Sequence, residues 1–380
     1  STPPNDNEIL VDVEILHVNA TSFNQIITAV NGNLLLLKER ILEIVKSRGK
    51  LQNPITGTGG ILYGRVEKIG IKCCNPLGLS VGDSIITLAS LSLTPLHLDD
   101  IEHINPSSGQ LRVKGKAILF EDMPLIKISP DHVVRGYSLE LLIAVMDEAG
   151  APKQAWNLAK CDDHILIVGA NGKLGLLCAH GVREKIGNAG RITGFVRTQA
   201  SKRYLEKEGI YDEVFCCDAC DTLGAITTLT DQIPTFLDEG VFDLTINCMA
   251  VSGSEMLSLI LTKAGGTIFF ASLANSHKIT ALTSESMGKN LNIVGYTGYV
   301  DGHAEFATEL LDSNSDLTRQ LRHVYESQEN SYEHNEERST ETQLMNNILK
   351  GIKNEFVFVS DAMQEVLASA VNVAQYDCTT

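Results

Sequence analysis

The chain has 380 residues, of which 43% are hydrophobic and 21% are charged, and this composition is typical of a globular protein with two or three domains. Its formal net charge of −16 argues against nucleic-acid binding by this chain, because gripping a phosphate backbone requires clustered lysine and arginine side chains. No apolar run reaches the length of a membrane-spanning helix, and we expect no membrane contact. The nine cysteines follow no regular spacing, which favours reduced thiols in a cytoplasmic protein.

The first third of the sequence predicts a β-rich domain over residues 1–130. Residues 8–23 alternate apolar and polar side chains over much of their length, which is typical of a strand. A helix is predicted over residues 33–48, where apolar side chains recur at helical spacing and Gly49 ends the pattern. Short apolar stretches separated by glycine turns then continue as far as residue 121.

From residue 131 the pattern changes to strands that alternate with helices. The strands are short and continuously apolar, as strands are when both faces of a sheet are covered. They occupy residues 164–170, 191–196, 212–219, 242–251, 266–274 and 291–298. Repeated units of this kind predict an α/β fold with a Rossmann, doubly wound parallel sheet over residues 131–322.

Beyond residue 322 the composition shifts twice. Residues 325–343 are acidic, polar and poor in apolar side chains, so we predict a helical or extended acidic linker over residues 323–354. Apolar side chains return over residues 355–374. We therefore treat residues 355–380 as a separate segment.

A glycine pattern between the first apolar strand and the following helix predicts a dinucleotide site. The stretch ILIVGANGKLG places Gly169, Gly172 and Gly175 where a tight turn, a close backbone approach to pyrophosphate and close helix–strand packing require glycine. The helix N-terminus adds N–H groups and the positive end of its dipole. The other cofactor-binding candidates in this loop are Asn171, Lys173 and Leu174. The alternative is a Rossmann domain that has lost its nucleotide.

The residues after the second strand of this domain bear on the choice between NAD(H) and NADP(H). Arg197 follows the strand directly, with Thr198 and Lys202 close behind, and no acid is placed to bind a ribose 2′-hydroxyl. A guanidinium suits a 2′-phosphate, so the sequence favours NADP(H), with a solvated loop and helix start as the alternative. Asp218, at the end of the third strand, is placed either for the adenine edge or for a turn.

Three ionisable residues are candidates for catalysis. Glu255 follows the fourth strand of the nucleotide domain, at the sheet edge that lines the cleft in this architecture, and is placed to hold a substrate ammonium. The alternative is an ordinary first-turn carboxylate after an N-capping Ser254. His303 and Glu305 stand at a predicted helix start and are placed to face the cleft, with helix-dipole stabilisation as the alternative for the carboxylate.

The N-terminal domain contributes a candidate substrate-binding cluster. Gln52, Asn53 and Thr56 are polar residues directly ahead of a glycine-rich stretch. A turn built from asparagine, proline and glycine is the alternative for the same residues.

The sequence CCDAC offers three sulfur ligands in one short stretch. A structural zinc site requires four ligands, usually as two spaced pairs, and the remaining cysteines are scattered. We therefore expect Cys216 and Cys217 to pack in the core, and we predict no metal.

The strand over residues 8–23 and the stretch GGILYGRVEKIG…GLSVGDSII, followed by the nucleotide domain, resemble the medium-chain dehydrogenase/reductase superfamily over about residues 1–320. The resemblance implies a GroES-like N-terminal domain ahead of the Rossmann domain. Zinc-dependent members carry a cysteine and a Gly-His-Glu motif where this chain has NATSF and GTGG. The resemblance therefore implies a zinc-independent member.

The motifs NPITGTGG, SLSLTPL, INCMAVSGSEM and YTGYVDGHAEFA, within residues 8–325, more closely resemble the L-erythro-3,5-diaminohexanoate dehydrogenase family. That resemblance implies oxidative deamination of the 5-amino group of a diamino acid in lysine fermentation, with NAD(H) or NADP(H) as cofactor. It also implies carboxylates that bind the substrate ammonium groups. Superfamily members dimerise through the edge strand of the nucleotide sheet, and NIVGYTG is placed to do so, so we expect a homodimer.

The final stretch, FVFVSDAMQEVLASAVNVAQYDCTT, resembles the start of the ATPase domain of sigma-54-dependent transcription activators. Its apolar side chains recur at helical spacing, and the phosphate loop of such a domain would follow Thr380. The resemblance implies a dehydrogenase-like ligand sensor at the N-terminus of a transcription activator of lysine fermentation. The alternatives are a catalytically active dehydrogenase and a C-terminal helix that packs on its body.

Overall fold

The structure, a computed structural model, describes residues 5–73, 77–128, 138–232, 241–249, 251–272, 288–295 and 298–322. Within these residues two six-stranded sheets form the framework, the first antiparallel and the second parallel. The predicted linker over residues 323–354 and the segment over residues 355–380 lie outside the described residues.

The first sheet has the strand order β4-β5-β1-β2-β3-β6, with antiparallel neighbours. Its strands are β1 (Glu8–His17), β2 (Ile61–Ile69), β3 (Ser84–Thr87), β4 (Leu96–Asn105), β5 (Gln110–Phe120) and β6 (Leu125–Ile128). Helices α1 (Ala20–Ala29) and α2 (Leu34–Arg48) follow β1, and a short 3-10 turn spans Leu91–Leu93. The predicted β-rich fold of the N-terminal part is confirmed.

Strand β1 lies inside this sheet, and near its C-terminal end a bulge changes the face of the sheet on which its side chains lie. Val11 and Val13 are buried while Asp12 between them is exposed, as the alternating pattern predicts. The pairing with β2 shifts register between Val13 and Ile15, so that two residues of β1 face one step of β2. A bulge of this kind re-aims the side chains that follow it. The strand ends with His17 buried.

The second sheet has the strand order β12-β11-β10-β7-β8-β9, with parallel neighbours. Its strands are β7 (His164–Val168), β8 (Arg191–Val196), β9 (Glu213–Cys216), β10 (Phe242–Asn247), β11 (Thr262–Phe270) and β12 (Asn292–Gly295). The sheet grows outward in both directions from β7, which is the order of a Rossmann fold. The predicted doubly wound parallel sheet is confirmed.

Helices connect and cover the strands of the second sheet. They are α3 (Leu139–Glu148), α4 (Gly150–Leu158), α5 (Lys173–Ile186), α6 (Gln199–Glu208), α7 (Thr222–Gln232), α8 (Glu255–Leu261) and α9 (His303–Ser313). No helix in the described part of the chain is both long enough and apolar enough to span a bilayer.

Helix α3 joins the two halves of the molecule. The side chains of residues 141–146 are buried in a hydrophobic core that also contains Tyr63 and Ile86 of the first sheet. Gln110, at the start of β5, donates from Nε2 to the backbone oxygen of Glu140 at 2.7 Å. This packing places the last turn of α3 against the end of β1 and the start of α5.

Candidate dinucleotide-binding and active site

The loop between β7 and α5 has the geometry of a pyrophosphate cradle. Gly169 has a φ of +84°, a conformation that other residues rarely adopt. Gly172 is the N-cap of α5 and no side chain caps the helix there, so the helix dipole and the first-turn amides are available to an anion. A Cβ on Gly175 would lie 2.3 Å from the carbonyl oxygen of Gly169, so only glycine permits this close packing. The loop therefore fits the dinucleotide that the sequence predicts.

Side chains from two neighbouring elements hold this loop in place. Tyr211, buried just before β9, donates to the carbonyl oxygens of Ala170 at 2.8 Å and of Gly175 at 3.3 Å. Asn171 donates from Nδ2 to the Oγ of Ser201 in α6 at 2.9 Å. These bonds hold the loop in its shape, and a binding loop supported by its neighbours in this way is preorganised for its ligand.

The predicted ribose-binding residues follow β8 and begin α6. Thr198 is the N-cap of α6 and accepts from the amide of Ser201 at 3.1 Å. Lys202 lies 3.7 Å from Glu206, one helical turn further on. Thr198 and Lys202 thus make the contacts of an ordinary helix start. Arg197 is exposed directly after β8, and it remains the candidate for contact with a ribose phosphate.

Three of the predicted residues converge around the Cys220 thiol, beyond the ends of β8, β9 and β10. Asp218 accepts from the amide of Cys220 at 2.9 Å in a local turn. Glu255, only 1% exposed, accepts from the amide of Gly253 at 2.6 Å. Burial raises the pKa of the Cys220 thiol, and the charges of Asp218 and Glu255 raise it further. Arg197 opposes these effects, so its guanidinium acts on the same thiol.

His303 and Glu305 lie in different surroundings at the start of α9. His303 is 2% exposed, and its Nδ1 donates to the carbonyl oxygen of Val300 at 2.6 Å. Its ring meets the ring of Tyr299 edge to face, and burial lowers its pKa below the ordinary value. Glu305 is exposed in the first turn of the helix. Glu305 therefore fits helix-dipole stabilisation, and His303 has one ring nitrogen committed to the backbone.

Thr56 belongs to a cluster of hydroxyl groups at the start of α1. Its Oγ1 lies 2.9 Å from the Oγ of Ser22 and 3.0 Å from the Oγ1 of Thr58. Asn19, the N-cap of α1, donates from Nδ2 to the same Thr58 oxygen at 3.0 Å. We call Asn19, Ser22, Thr56 and Thr58 the hydroxyl cluster. It follows the end of β1 by a few residues.

Asn53 and Gln52 shape the turn that carries Thr56. The Oδ1 of Asn53 accepts from the amide of Ile55 at 3.0 Å, which is a local asparagine turn. Its Nδ2 donates to the Oε1 of Gln25 in α1 at 3.1 Å. Gln52 donates to the carbonyl oxygen of Gly57 at 3.4 Å. Asn53 thus has a structural task as well as its predicted role in substrate binding.

A second group of ionisable residues lies between the two sheets, and of its members the sequence identifies only Lys173, as a cofactor-binding candidate. His17 ends β1, and its Nε2 lies 3.6 Å from the Oδ2 of Asp147 in the last turn of α3. Lys173, the first residue of α5, lies 3.1 Å from the Oε1 of Glu148. We call His17, Asp147, Glu148 and Lys173 the interface cluster. Because Lys173 begins α5, the cluster adjoins the glycine loop directly.

The interface cluster is buried, and burial controls its charges. The pKa of His17 is lowered well below the ordinary histidine value by burial and, secondarily, by the charge of Lys173. The pKa of Asp147 is raised to about 7 by burial and by the charge of Glu148, against the opposing effect of Lys173. Near neutral pH the imidazole is therefore uncharged, and the carboxyl group of Asp147 exchanges a proton readily.

Two sequence signals point to this cluster in retrospect. His17 is a polar residue that directly follows the apolar residues of β1. The alternating pattern of the strand does not predict that an imidazole is buried there. Asp147 and Glu148 end the otherwise apolar helix LELLIAVMDE. Ionisable side chains are costly to bury, so their presence at such positions is itself the signal. Their meeting across two elements required the fold.

The predicted cysteine packing is found in part. Cys216 ends β9 and Cys217 follows it, both half-buried, and Cys217 packs against the core between the second sheet and its helices. Burial raises the pKa of Cys217 to about 12, so this thiol stays protonated. Among the described residues, no group of three or more histidine, cysteine, aspartate or glutamate side chains is arranged to hold a metal ion.

The arrangement of the two sheets matches solved dehydrogenase structures. An alcohol dehydrogenase from Thermotoga maritima has a TM-score of 0.54, with 15% identity, over 89% of this chain and 91% of that one. Acetophenone reductase from Geotrichum candidum, solved in complex with NAD, has a TM-score of 0.51, with 14% identity, over 87% of this chain and 88% of that one. The chain therefore has the fold of these proteins, and its glycine loop has the geometry of an NAD(P)-binding domain.

Sequence comparison then identifies the family. The family model for the L-erythro-3,5-diaminohexanoate dehydrogenase N-terminal domain matches residues 1–129. The L-erythro-3,5-diaminohexanoate dehydrogenase of Acetoanaerobium sticklandii is 39% identical over 319 residues, which is 84% of this chain and 90% of that protein. The protein of the same name from Fusobacterium nucleatum subsp. nucleatum is 35% identical over an equal share of each chain. The chain belongs to the L-erythro-3,5-diaminohexanoate dehydrogenase family.

Family membership confirms the resemblance that the sequence motifs carried. Together with the geometry of the glycine loop, it also confirms the predicted nicotinamide dinucleotide, NADP(H) or NAD(H). Gly169, Gly172 and Gly175 would hold the pyrophosphate of that cofactor at the start of α5.

Proposed function

We propose that this chain is an active dehydrogenase that oxidatively deaminates the 5-amino group of 3,5-diaminohexanoate. The observation that carries the proposal is the 39% identity to a protein of that name over 90% of its length. The catalytically active dehydrogenase, which the sequence offered as the alternative to a sensor, is therefore the better supported reading. The intact glycine loop supports binding of the dinucleotide, which the proposed activity requires.

The proposed reaction sets clear tasks for the chain. A 5-ammonium group, water and the oxidised dinucleotide become a ketone, an ammonium ion, the reduced dinucleotide and one proton. When bound, the dinucleotide takes the hydride from C5. The chain itself must bind two ammonium groups and one carboxylate, and it must take protons from the reacting nitrogen and from water.

We assign the substrate's carboxylate to the hydroxyl cluster, which includes the predicted Thr56. Ser22, Thr56 and Thr58 are mutually hydrogen-bonded donors that follow the buried end of β1. Gln52 and Asn53 fix the turn that carries Thr56, so they support this contact. We retain Glu255, His303 and Glu305 as candidates for contacts around the cleft.

We propose NADP(H) as the preferred cofactor. Arg197 is exposed directly after β8, where a guanidinium suits a ribose 2′-phosphate, and no acid lies among residues 197–203 to bind a 2′-hydroxyl. An Arg197→Gln variant should lose affinity for NADPH and keep its affinity for NADH. Titration of both reduced cofactors by fluorescence measures this, and equal losses for the two would contradict the assignment.

The proposed activity is tested with the purified chain, 3,5-diaminohexanoate and either oxidised cofactor. Reduced cofactor should form at rates ordinary for a dehydrogenase, on the order of 1–1,000 per second. Matched controls are 5-aminohexanoate, which lacks the second ammonium group, and 3-aminohexanoate, which lacks the reacting one. Absence of turnover by a protein that binds the reduced cofactor would refute the enzymatic proposal.

A second candidate function is a sensor domain of a sigma-54-dependent transcription activator of lysine fermentation. The sequence of residues 355–380 favours it, through its resemblance to the start of an ATPase domain. Reading the gene past the codon for Thr380 tests it. A frame that continues into a Gly-Glu-x-Gly-x-Gly-Lys phosphate loop would support the sensor, and a stop codon within a few residues would refute it.

We also propose that the protein is a cytoplasmic homodimer. Strand β12 is an edge of the second sheet, and its side chains are mostly exposed, including Ile293. An exposed edge is a template for pairing with a second copy. Cys161, Cys178, Cys216, Cys217, Cys220 and Cys248 are thiols and form no disulfide, which agrees with a reducing compartment.

A further inference from the structure

We infer that Asp147 is the general base of the deamination and that His17 positions it. This inference deepens the proposed function and rests on it, because it names the group that takes the protons released by the reacting amine and by water. It uses only groups of the interface cluster, which neither the sequence motifs nor the family comparison assigns.

The placement of Asp147 is the first argument. Asp147 lies in the last turn of α3, which packs on the first sheet, while its neighbour Glu148 pairs with Lys173 at the start of α5. The first turn of α5 is the part of the chain that receives the dinucleotide. A substrate lying between the hydroxyl cluster and the cofactor must therefore pass the end of α3.

The unsatisfied ring of His17 is the second argument. His17 is 1% exposed, yet neither Nδ1 nor Nε2 has a hydrogen-bond partner among the described residues. Its 3.6 Å separation from the Oδ2 of Asp147 is too long for a hydrogen bond. Buried polar nitrogens are almost always paired, and a small shortening of this separation in the substrate complex would give Nε2 its partner.

The other candidates lie in different surroundings. Glu255 accepts from the amide of Gly253, and the Nδ1 of His303 donates to Val300. Glu305 is exposed at a helix start. Among the ionisable groups of the described residues, Asp147 combines a buried side chain, a neutral histidine 3.6 Å away and a sequence neighbour, Glu148, that pairs with the cofactor-binding helix.

The proton steps balance with this assignment. The ionised Asp147 carboxylate takes one proton from the 5-ammonium group, which leaves a neutral amine. The C5–H electron pair leaves as hydride to the cofactor, and the nitrogen lone pair forms the C=N bond of an iminium ion. The carboxylate of Asp147 releases its first proton to solvent. Water then adds to the iminium carbon, and the carboxylate takes a second proton from that water. The resulting amino alcohol then expels ammonia and becomes the ketone.

His17 acts through Asp147 and not on the substrate. When the 3.6 Å separation shortens in the substrate complex, the neutral imidazole would donate from Nε2 to the ionised carboxylate, and a donor to the charged form lowers a carboxyl pKa. Glu148 and Lys173 are the other charged groups that face Asp147, and their effects on its pKa oppose each other. His17 therefore sets the lowest pH at which the Asp147 carboxyl group is ionised and able to accept a proton.

The experiment compares the pH dependence of kcat/KM in wild type, Asp147→Asn, His17→Phe and His17→Gln. In wild type the rate should rise through an ionisation close to the Asp147 pKa of about 7, because the base must be deprotonated. Asp147→Asn should lower kcat by about 10²–10⁴-fold and abolish that rise. His17→Phe should move the rise to higher pH, and His17→Gln, which keeps an N–H donor, should restore it.

Glu208→Gln is the matched control, because Glu208 is a similarly buried carboxylate that pairs with Arg319 at the far end of α6. It should keep the wild-type pH profile. NADPH affinity, measured by fluorescence, should change less than about twofold in Asp147→Asn, since that side chain binds substrate protons and not pyrophosphate.

The outcomes separate the two proposals. A wild-type protein without turnover refutes the proposed function and this inference together. An active wild type whose Asp147→Asn variant keeps kcat within about threefold, with its pH profile unchanged, refutes only the base. If Asp147→Asn does not fold, the comparison of His17→Phe with His17→Gln tests the inference. Identical pH profiles for these two variants would overturn the positioning role of His17.

Discussion

At the scale of single residues, burial of the ionisable groups of the interface cluster lowers the stability of the folded protein, and the proposed proton transfer depends on these groups. Burial favours the protonated form of a carboxyl group, so Asp147 becomes charged in the folded protein only near pH 7. Its counterpart in the unfolded chain ionises at an ordinary aspartate value. The folded state therefore has Asp147 as a neutral, stabilised group at low pH, and it loses that advantage as pH rises toward the raised pKa.

This linkage gives a stability prediction for Asp147→Asn. The asparagine stays neutral at every pH, so the variant should unfold at a Tm several degrees above wild type at about pH 8. At about pH 3, where Asp147 is protonated in the unfolded chain as well as in the folded protein, the difference should nearly vanish. Thermal melts at both values measure it. An equal shift at the two pH values would show that packing and not ionisation separates the proteins.

The glycines of the cofactor loop make separable contributions, and two substitutions should distinguish them. In Gly175→Ala the new Cβ meets the carbonyl oxygen of Gly169 at 2.3 Å, so stability should fall by about 1–3 kcal/mol. In Gly172→Ala the nearest atom is 3.5 Å away, so the fold should survive while the methyl group obstructs the pyrophosphate. Denaturant unfolding and NADPH titration measure the two effects. Normal NADPH affinity in Gly172→Ala would contradict the cradle.

At the scale of elements, some features are visible in the sequence and others are not. The strands of the second sheet are predicted because continuous apolar runs are required when both faces are covered. Strand β4 escapes prediction, because LHLDDIEHIN is an edge strand with several charged residues and only part of its pattern is apolar. Helix α3 also escapes it, because the continuous apolar run over residues 141–146 leaves no polar face to mark helical spacing.

The approach of His17 to Asp147 cannot be predicted from the sequence, because it depends on a β-bulge. The register shift in β1 between Val13 and Ile15 determines which way the end of the strand faces. Nothing in VDVEILH marks that bulge. The glycine pattern of the cofactor loop, by contrast, is visible in the sequence, because the positive φ of Gly169 and the close contact at Gly175 exclude residues with a side chain.

The contact between Tyr211 and the cofactor loop predicts a further effect at this scale. Tyr211→Phe removes two hydrogen bonds to the loop, to the carbonyl oxygens of Ala170 and Gly175. It leaves both buried oxygens without that donor, at a cost of about 1–3 kcal/mol. NADPH should bind several-fold more weakly, as calorimetric titration would show. Tyr63→Phe, whose hydroxyl bonds Ser84 in the other sheet, is the control and should keep its affinity.

At the scale of the whole molecule, the fold brings the chemistry together between two sheets. The first sheet supplies His17 and the hydroxyl cluster, the second supplies the cofactor loop, and α3 joins them through a continuous core. The sequence predicted each sheet and the family. It did not predict which ionisable residues the interface gathers, because that depends on how helices pack across it.

The exposed edge of the second sheet predicts how two copies associate. In Ile293→Lys a charge is placed on β12, and a paired edge should tolerate it poorly. Light scattering after size exclusion should then show a monomer where wild type is a dimer. Lys127→Glu on β6, at an edge of the first sheet, is the control and should leave the dimer intact. An unchanged dimer in Ile293→Lys would place the interface elsewhere.

The central claim is that this chain removes one particular amino group by oxidation. The most direct measurement uses 3,5-diaminohexanoate labelled with ¹⁵N at the 5-amino group alone. The account predicts one labelled ammonium ion for each reduced cofactor formed, and no unlabelled ammonium. Unlabelled ammonium, or reduced cofactor without ammonium, would show that the chain performs a different reaction, and no reaction at all would show that it is not this enzyme.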